Sequence, residues 1–485
     1  MMKRLFYILF SAMAIVAASC SDDSFSTSRT NLLSLGCDTL SLDTIFSTVP
    51  TRTYGFWVHN NSSDGVRISQ TRLERGNQTG FRVNVDGIYL DNSTGSQAQD
   101  IEVRKGDSIR VFVELTSQIN GSDTPQLVED NLLFHLESGV EQKVNLRAWS
   151  WDAILYDSLR IDNDTTISST KPVVVRKGIR VDSAATLTIL QPTVMYFSST
   201  AGIDVYGSLH IAGLPGSDVM LRGDRLDWMF ANLPYDRVSG QWQGIHFYGS
   251  STGNSLKYLD MHSATHAILC DSAAISETPR LTLENVTIHN CKGYGLAASH
   301  SNVSIKNSLI SNTFGDCLYL HNSKADITYS TFAQFYPFDA NRGWAVQLVN
   351  SQATFVNSLI TGYNEDVFLT DSLDFSFDHC IVRTIIEDTV IVAEKFPSSV
   401  LETPKDSVNG EMHFKLLDTE NFIYDFRLDS ISTAIGNALP FENIPLDRDG
   451  NNRSTSTPSI GCFEASTFQQ EPSDESQPKA ARRRK

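Results

Sequence analysis

Basic side chains are in deficit: 39 Lys and Arg stand against 56 Asp and Glu, a net charge of −17 over 485 residues. A chain this acidic is repelled by phosphate backbones, so no nucleic-acid partner is expected. Long apolar runs are also missing. The one extended stretch, Leu5 to Ala18, falls short of the about 20 residues that a membrane helix takes, which excludes a polytopic membrane protein. Cysteine is sparse, and the thiols beyond Cys20 (Cys37, Cys270, Cys291, Cys317, Cys380 and Cys462) show no CxxC spacing. That argues against a small disulfide framework and a cysteine zinc site, leaving packed free thiols as the expectation. Disorder is excluded as well, because 41% of the residues are hydrophobic and only 20% charged.

The first nineteen residues read as a signal peptide, with Lys3-Arg4 ahead of the short apolar run. They end in Val16-Ala17-Ala18-Ser19-Cys20. Small residues before a cysteine resemble the lipobox of bacterial lipoproteins, which implies that Cys20 is lipidated and anchors the chain to a membrane. Asp22-Asp23 directly after it resemble the acidic export signal of Bacteroidetes-type lipoproteins. The resemblance implies an outer membrane lipoprotein exposed at the cell surface of a Gram-negative bacterium. Residues 20–37 are then a linker.

Residues 38–152 alternate apolar and polar positions in short runs separated by turns. Thr53 to His59, Val66 to Leu73, Phe81 to Val85, Ile101 to Val103, Ser108 to Leu115, Leu132 to Leu136 and Gln142 to Ala148 make about seven strands. This is the pattern of an Ig-like β-sandwich, and Phe81 to Gly87 and Asp107 to Glu114 resemble Ig-like modules of Bacteroidetes surface proteins. No catalytic cluster occurs here, so a spacer or adhesive role is expected.

From about residue 160 to 410 the chain repeats itself. Leu281-Thr-Leu-Glu-Asn, Val303-Ser-Ile-Lys-Asn, Ala325-Asp-Ile-Thr-Tyr, Ala353-Thr-Phe-Val-Asn and Asp374-Phe-Ser-Phe-Asp align. Asn285, Asn307, Tyr329, Asn357 and Asp378 then recur at intervals of 22, 22, 28 and 21 residues, with a weaker copy at Tyr258. The LxxLxLxxN pattern of leucine-rich repeats is absent. Units of two or three short strands with no helical period predict a parallel β-helix, whose coils stack about 4.8 Å apart and point alternate side chains into an apolar lumen. Leu283 would stack on Ile305, and Ile288 on Ile310. The recurring Asn is expected to cap its own turn in a stacked ladder. Together these features resemble the right-handed parallel β-helix repeat lipoproteins of Bacteroidetes, with a pectate-lyase-like solenoid.

Residues 411–464 carry Phe426-Arg-Leu, Ser432-Thr-Ala-Ile-Gly, Asp447-Arg-Asp-Gly and Ile460-Gly-Cys-Phe-Glu. They resemble the segment that closes many bacterial β-helices, which implies a cover for the open end. The Asp447 stretch is read as a polar turn and not a calcium loop. Residues 465–485 are expected to be a disordered tail.

Ligand-binding candidates come from an interruption of the coils, Gly223 to Phe247. Trp228, Tyr235 and Trp242 lie there beside Asp236 and Arg237, a set suited to stacking on sugars and reading their hydroxyls. A structural reading stands beside it: a short helix from Leu226 to Asn232 packing its aromatics on the sheet. His262 and His266 extend the set, and His262 and His289 would stack in adjacent coils. Beside Asp260 such a pair could titrate or bind metal, although polar residues of a surface ladder are the preferred reading. No catalytic residue, metal or cofactor is assigned. GHG is absent, and the one Asp-Asp pair lies in the linker. The expectation is a monomeric, non-catalytic surface lipoprotein that binds or presents a glycan; a polysaccharide lyase or glycosidase and a structural adhesin are the alternatives.

Overall fold

The computed structural model describes residues 24–370, 374–404 and 410–465. The signal segment, Cys20, Asp22-Asp23 and the tail after Ala465 lie outside the described residues. Contacts divide the chain into two units between Ala153 and Ile154.

In the first unit two five-stranded sheets face one another. All seven expected strands are present, and Ser34–Leu35, Thr39–Phe46 and Ile88–Tyr89 join them. Alternation decides which side chains go inside: Val83 and Val85 of Phe81–Val85 are buried, and Val111 and Val113 of Ser108–Leu115 meet them. Pairing between its strands is antiparallel except where Thr39–Phe46 runs parallel to Glu141–Trp151, and an isolated parallel bridge joins Phe25 to Gly65. That early strand lacks a clean apolar alternation, since Thr44 follows Asp43 at φ +57°, a local irregularity in the strand.

The second unit is a parallel β-helix with three strands per coil. Chain order runs from a first face (Val173–Val175, Val194–Phe197) to a second (Ile179–Val181, Ile203–Val205) and a third (Thr186–Leu190, Ser208–Ala212), and then repeats. Among the described residues the second face is an unbroken sheet of nine strands. Register explains the lumen. Val173, Met195, Leu221, Met261, Ile288, Ile310, Phe332, Ile360 and Val382 are successive partners on the first face, all buried. Leu283 does pair with Ile305 on the third. No coil could bury this stripe alone, so each coil is stable only against its neighbours.

From Asn254–His262 onward the bend between the third and first faces uses a left-handed residue in each coil: Tyr258, Asn285, Asn307, Tyr329, Asn357 and His379, with φ from 46° to 56°. Asn tolerates this conformation better than most residues, which explains its recurrence. His379, not Asp378, holds the sixth position. Ala353 pairs with Phe375, so Phe375 and Phe377 both point inward, and the alignment that put Asp378 at the bend would turn every side chain of that strand to the wrong side.

Two further expectations change. Residues 411–464 do not lie over the open end. They run along the flank, where Phe414, Phe426, Leu428 and Ile460 cover the outward residues Leu309, Ala333, Leu359 and Ile381 of the first face. Two of the three bend asparagines, Asn307 and Asn357, serve this docking instead of capping their own turns, whereas Asn285 Oδ1 has no partner among the described residues. Asn357 donates to Leu439 O at 2.8 Å and accepts from Leu439 N at 2.8 Å, Asn307 donates to Leu446 O at 2.8 Å, and the Tyr329 hydroxyl donates to Leu439 O. The lumen is finished by a short helix, Thr389–Lys395, whose following residue Phe396 stacks on Phe377 at 5.0 Å. Asp388 caps that helix by accepting from Val390 and Ile391 N–H.

The 224–244 interruption leaves the coil after Val219–Gly223 and returns at Ile245–Phe247. It forms a small hairpin, Trp228–Phe230 with Leu233–Pro234, followed by the single turn Tyr235–Arg237, and not the helix expected at Leu226 to Asn232. Leu233 anchors the hairpin by burial. Gly244, at φ +90°, lets the chain rejoin the coil where an added Cβ would lie 1.7 Å from His266 O.

Candidate binding cleft

The outward residues of the first face form the floor of a cleft of about 400 Å³. Asp260, Thr287, His289, Leu309 and Ser311 come from three successive coils. One wall is Arg237 from the interruption; the other is the C-terminal strand Ile423–Leu428 with Phe422, Arg448, Asp449 and Phe463. The walls touch: Asn232 donates to Glu420 O at 2.7 Å and Arg237 to Asn421 O at 2.9 Å. Both depart from the repeating coil, so the cleft exists only because two irregular segments meet over a regular sheet.

Its charges are internally paired. Arg448 reaches Asp218 at 2.9 Å and donates to Thr287 Oγ1 at 3.0 Å, while Arg427 donates to Asp449 at 2.7 Å and to Asp425 at 3.2 Å. One fork-shaped guanidinium held between two carboxylates and another against one keep planar, oriented donors and acceptors beside Phe422, Tyr424 and Phe463. Some buried polar atoms in and beside the cleft have no partner among the described residues: Ser311 Oγ, Asn312 Oδ1, Asp236 Oδ1 and the Tyr424 hydroxyl. Groups left unpaired in this way cost about 1–3 kcal/mol each, which a polar ligand or water would relieve.

On the floor, Asp260 Oδ1 lies 2.6 Å from His262 Nδ1 and 3.6 Å from His289 Nε2. His262 and His289 are register partners with rings 4.7 Å apart. Burial favours the neutral carboxyl of Asp260, but the charges and hydrogen bonds of the two histidines outweigh it and hold the group well below the usual carboxylate range. Burial likewise lowers His262, against the pull of Asp260 and with added repulsion from His289 and Arg222. At neutral pH the cluster is a carboxylate flanked by a neutral imidazole at His262. These three residues are the described group able to offer a metal three side-chain donors, all within 4.8 Å of one another. His262 is buried, not an exposed ladder residue, and the interruption meets its strand there: Trp242 Nε1 donates to His262 O at 2.8 Å from the lumen side.

The seven ligand-binding candidates therefore separate. Arg237 lines the cleft, and Asp236 is beside it, 3.6 Å from Arg222. Tyr235 carries the Arg225 guanidinium 3.3 Å above its ring, which occupies one stacking face. Trp228 is 49% exposed on the hairpin and free to stack. Trp242 is corrected to a lumen residue: it is fully buried and stacks on Phe197 at 4.5 Å, so it cannot meet a ligand. His262 is buried beside the floor, on the same side of the sheet as Asp260 and bonded to it at 2.6 Å. His266 belongs to a different trough of about 520 Å³ on the second face, with Arg160, Lys177, Arg180, Asp204 and His246, where its Nδ1 accepts from Tyr294 N at 3.2 Å. Phe422, Arg427 and Arg448 went unrecognised, because nothing in their local sequence tells that residues 411–464 double back along the flank.

The thiols of Cys270, Cys291, Cys317, Cys380 and Cys462 are free and buried, and Cys37 is free and half-buried. Burial pushes the Cys291 and Cys317 thiols up to about 12. Asp447 accepts from Asp449 N, Asn451 N and Glu464 N, so its carboxylate is spent on the turn itself.

Residues 158–333 and 266–395 match the family model for the right handed beta helix region. Comparison with curated proteins gives no match. The chain is thus an all-β protein in which a β-sandwich precedes a right-handed parallel β-helix.

Proposed function

We propose that this right-handed β-helix protein is a lipoprotein, anchored through Cys20 at the outer membrane surface of a Bacteroidetes-type bacterium, that binds a glycan without cleaving it. The N-terminal unit, read as an Ig-like module, serves as a spacer, and the flank cleft holds the ligand. One observation carries the reading: the half-buried aromatic side chains Phe422 and Tyr424 and oriented, mutually paired Arg and Asp groups border a floor where buried polar atoms have no partner among the described residues. Sugars offer the complement, with apolar ring faces and many hydroxyls that both donate and accept. A catalytic reading draws on Asp260 and His289 on the same floor, since an imidazole backed by a carboxylate can move protons.

The test is a glycan array probed with the mature chain, followed by calorimetry on the hits. Arg237→Ala and Phe422→Ala are expected to weaken binding at least about tenfold, roughly the loss of one good polar or stacking contact. New reducing or unsaturated ends in the bound polysaccharide, lost in His289→Ala, would replace the non-catalytic reading with the catalytic one. Absence of any bound glycan would end both.

A further inference from the structure

We propose that Asp260, His262 and His289 bind one divalent transition-metal ion of the zinc class on the floor of the flank cleft. The coil itself brings the donors together. Asp260 and His262 are two apart on one strand and so leave the sheet on the same side, and His289 is the register partner of His262 in the next coil. Zinc holds nitrogen and oxygen donors at about 2.0–2.2 Å, which puts tetrahedral neighbours about 3.3 Å apart. The 3.6 Å from His289 Nε2 to Asp260 Oδ1 needs almost no change. The 2.6 Å from His262 Nδ1 to the same oxygen is a hydrogen bond, and exchanging its proton for a metal requires an opening of about 0.7 Å.

The donor chemistry selects the ion. Two imidazoles and one carboxylate suit zinc and its first-row neighbours, whereas calcium and magnesium take oxygen-rich sites. A second observation points independently to something bound here. Ser311, directly opposite His289 in the following coil, and Asn312 beside it are almost wholly buried, line the cleft, and leave Ser311 Oγ and Asn312 Oδ1 without partners among the described residues. A metal-bound water on the cleft side would supply one. The neighbouring cations are engaged elsewhere: Arg222, which follows Leu221, the register partner of Met261, faces Asp236 at 3.6 Å, and Arg448 faces Asp218. Three protein donors leave at least one coordination position open toward the cleft.

The experiment is calorimetric titration of the metal-free mature chain with Zn²⁺, and visible absorption on titration with Co²⁺, in a Cys37→Ser background that removes the half-buried thiol. One equivalent of Zn²⁺ is expected, with a Co²⁺ band of four- or five-coordinate intensity. His289→Ala should weaken binding at least about tenfold, a loss no smaller than that for an outer partner of a ligand. His266→Ala, on another face, should change nothing. If His289→Ala loses its folded circular dichroism, Asp260→Asn gives the same comparison with the shape preserved. Wild-type protein that takes up no Zn²⁺ at about millimolar concentration would overturn the proposal, as would variants that bind as the parent does. No glycan is present in the titration, so its failure leaves the glycan reading standing, and the reverse holds too.

Discussion

The first and second faces of the solenoid are built from the same coils yet differ in everything that points outward. Inward, Ile310 and Phe332 on one are matched by Leu318 and Val346 on the other, and all are buried. Outward, the second face carries Arg180, Asp204, His246, Tyr319 and Gln347 in register and remains open. The first face presents Leu309, Ala333, Leu359 and Ile381, and these apolar residues are covered by the C-terminal segment. The lumen repeats because every coil has the same stacking problem. The outside is specified residue by residue, and a cleft arises where an apolar outer stripe recruits a cover that stops short of Asp260 and His289.

If this contrast is correct, its largest consequence is a difference between inward and outward truncation. Phe332→Ala empties a fully buried lumen position between Ile310 and Ile360. It should cost about 3–5 kcal/mol in urea unfolding, by lost burial and a cavity that flanking coils cannot close. Gln347→Ala on the open face should stay within about 0.5 kcal/mol. Equal losses would mean that the two sides of the sheet are not energetically distinct.

The next effect concerns the cover. Arg453 is 6% exposed, donates to Asn307 Oδ1 at 2.9 Å, Gly461 O at 3.0 Å and Cys462 O at 3.2 Å, and lies 3.9 Å from the Tyr329 ring centroid. Arg453→Met should cost about 3 kcal/mol by stranding those acceptors and the Glu464 charge. Limited proteolysis should then cut within residues 410–465 before the coils. Cleavage at wild-type rates would show that apolar contact alone holds the segment in place.

The same contrast explains what could be read from the sequence. The lumen stripe was legible because its period is enforced at every coil, and the bend was legible wherever Asn occupied it. It failed at Asp378, where Phe375 and Phe377 alternate in a way that only the partner strand's register resolves. His262 and His289 were correctly stacked from the repeat, yet the burial of His262 lies outside what the repeat dictates, at the point where the irregular segment bonds the His262 backbone. Trp242 itself looks like the other exposed aromatics of its segment, and only the vacancy beside Phe197 draws it inward. The far wall of the cleft was out of reach altogether, since Arg448 and Thr287 are 161 residues apart and no period connects them.

The smallest predicted effect tests the turn joining the two faces. Asp316 sits between Leu309–Thr313 and Leu318–His321, where burial raises its carboxyl to about 6 although Trp344 N–H donates to it at 2.7 Å. The folded chain therefore holds this proton more tightly than the unfolded chain does. Its contribution favours folding below the unfolded value of 3.8 and is lost as pH rises through about 6. Asp316→Asn imitates the protonated form and keeps the acceptor for Trp344. It should stabilise the protein by about 3 kcal/mol at about pH 7.5 and by almost nothing near pH 4. Asp182, at the edge of the open face, lies between Arg160 and Arg180, and both hold its carboxyl below the usual value, so Asp182→Asn should give no such gain. A gain from Asp316→Asn that is the same at both pH values would trace to packing and not to the buried charge. The turn would then be a neutral hinge between the faces, and the cost of enclosing the first face would have to be sought elsewhere.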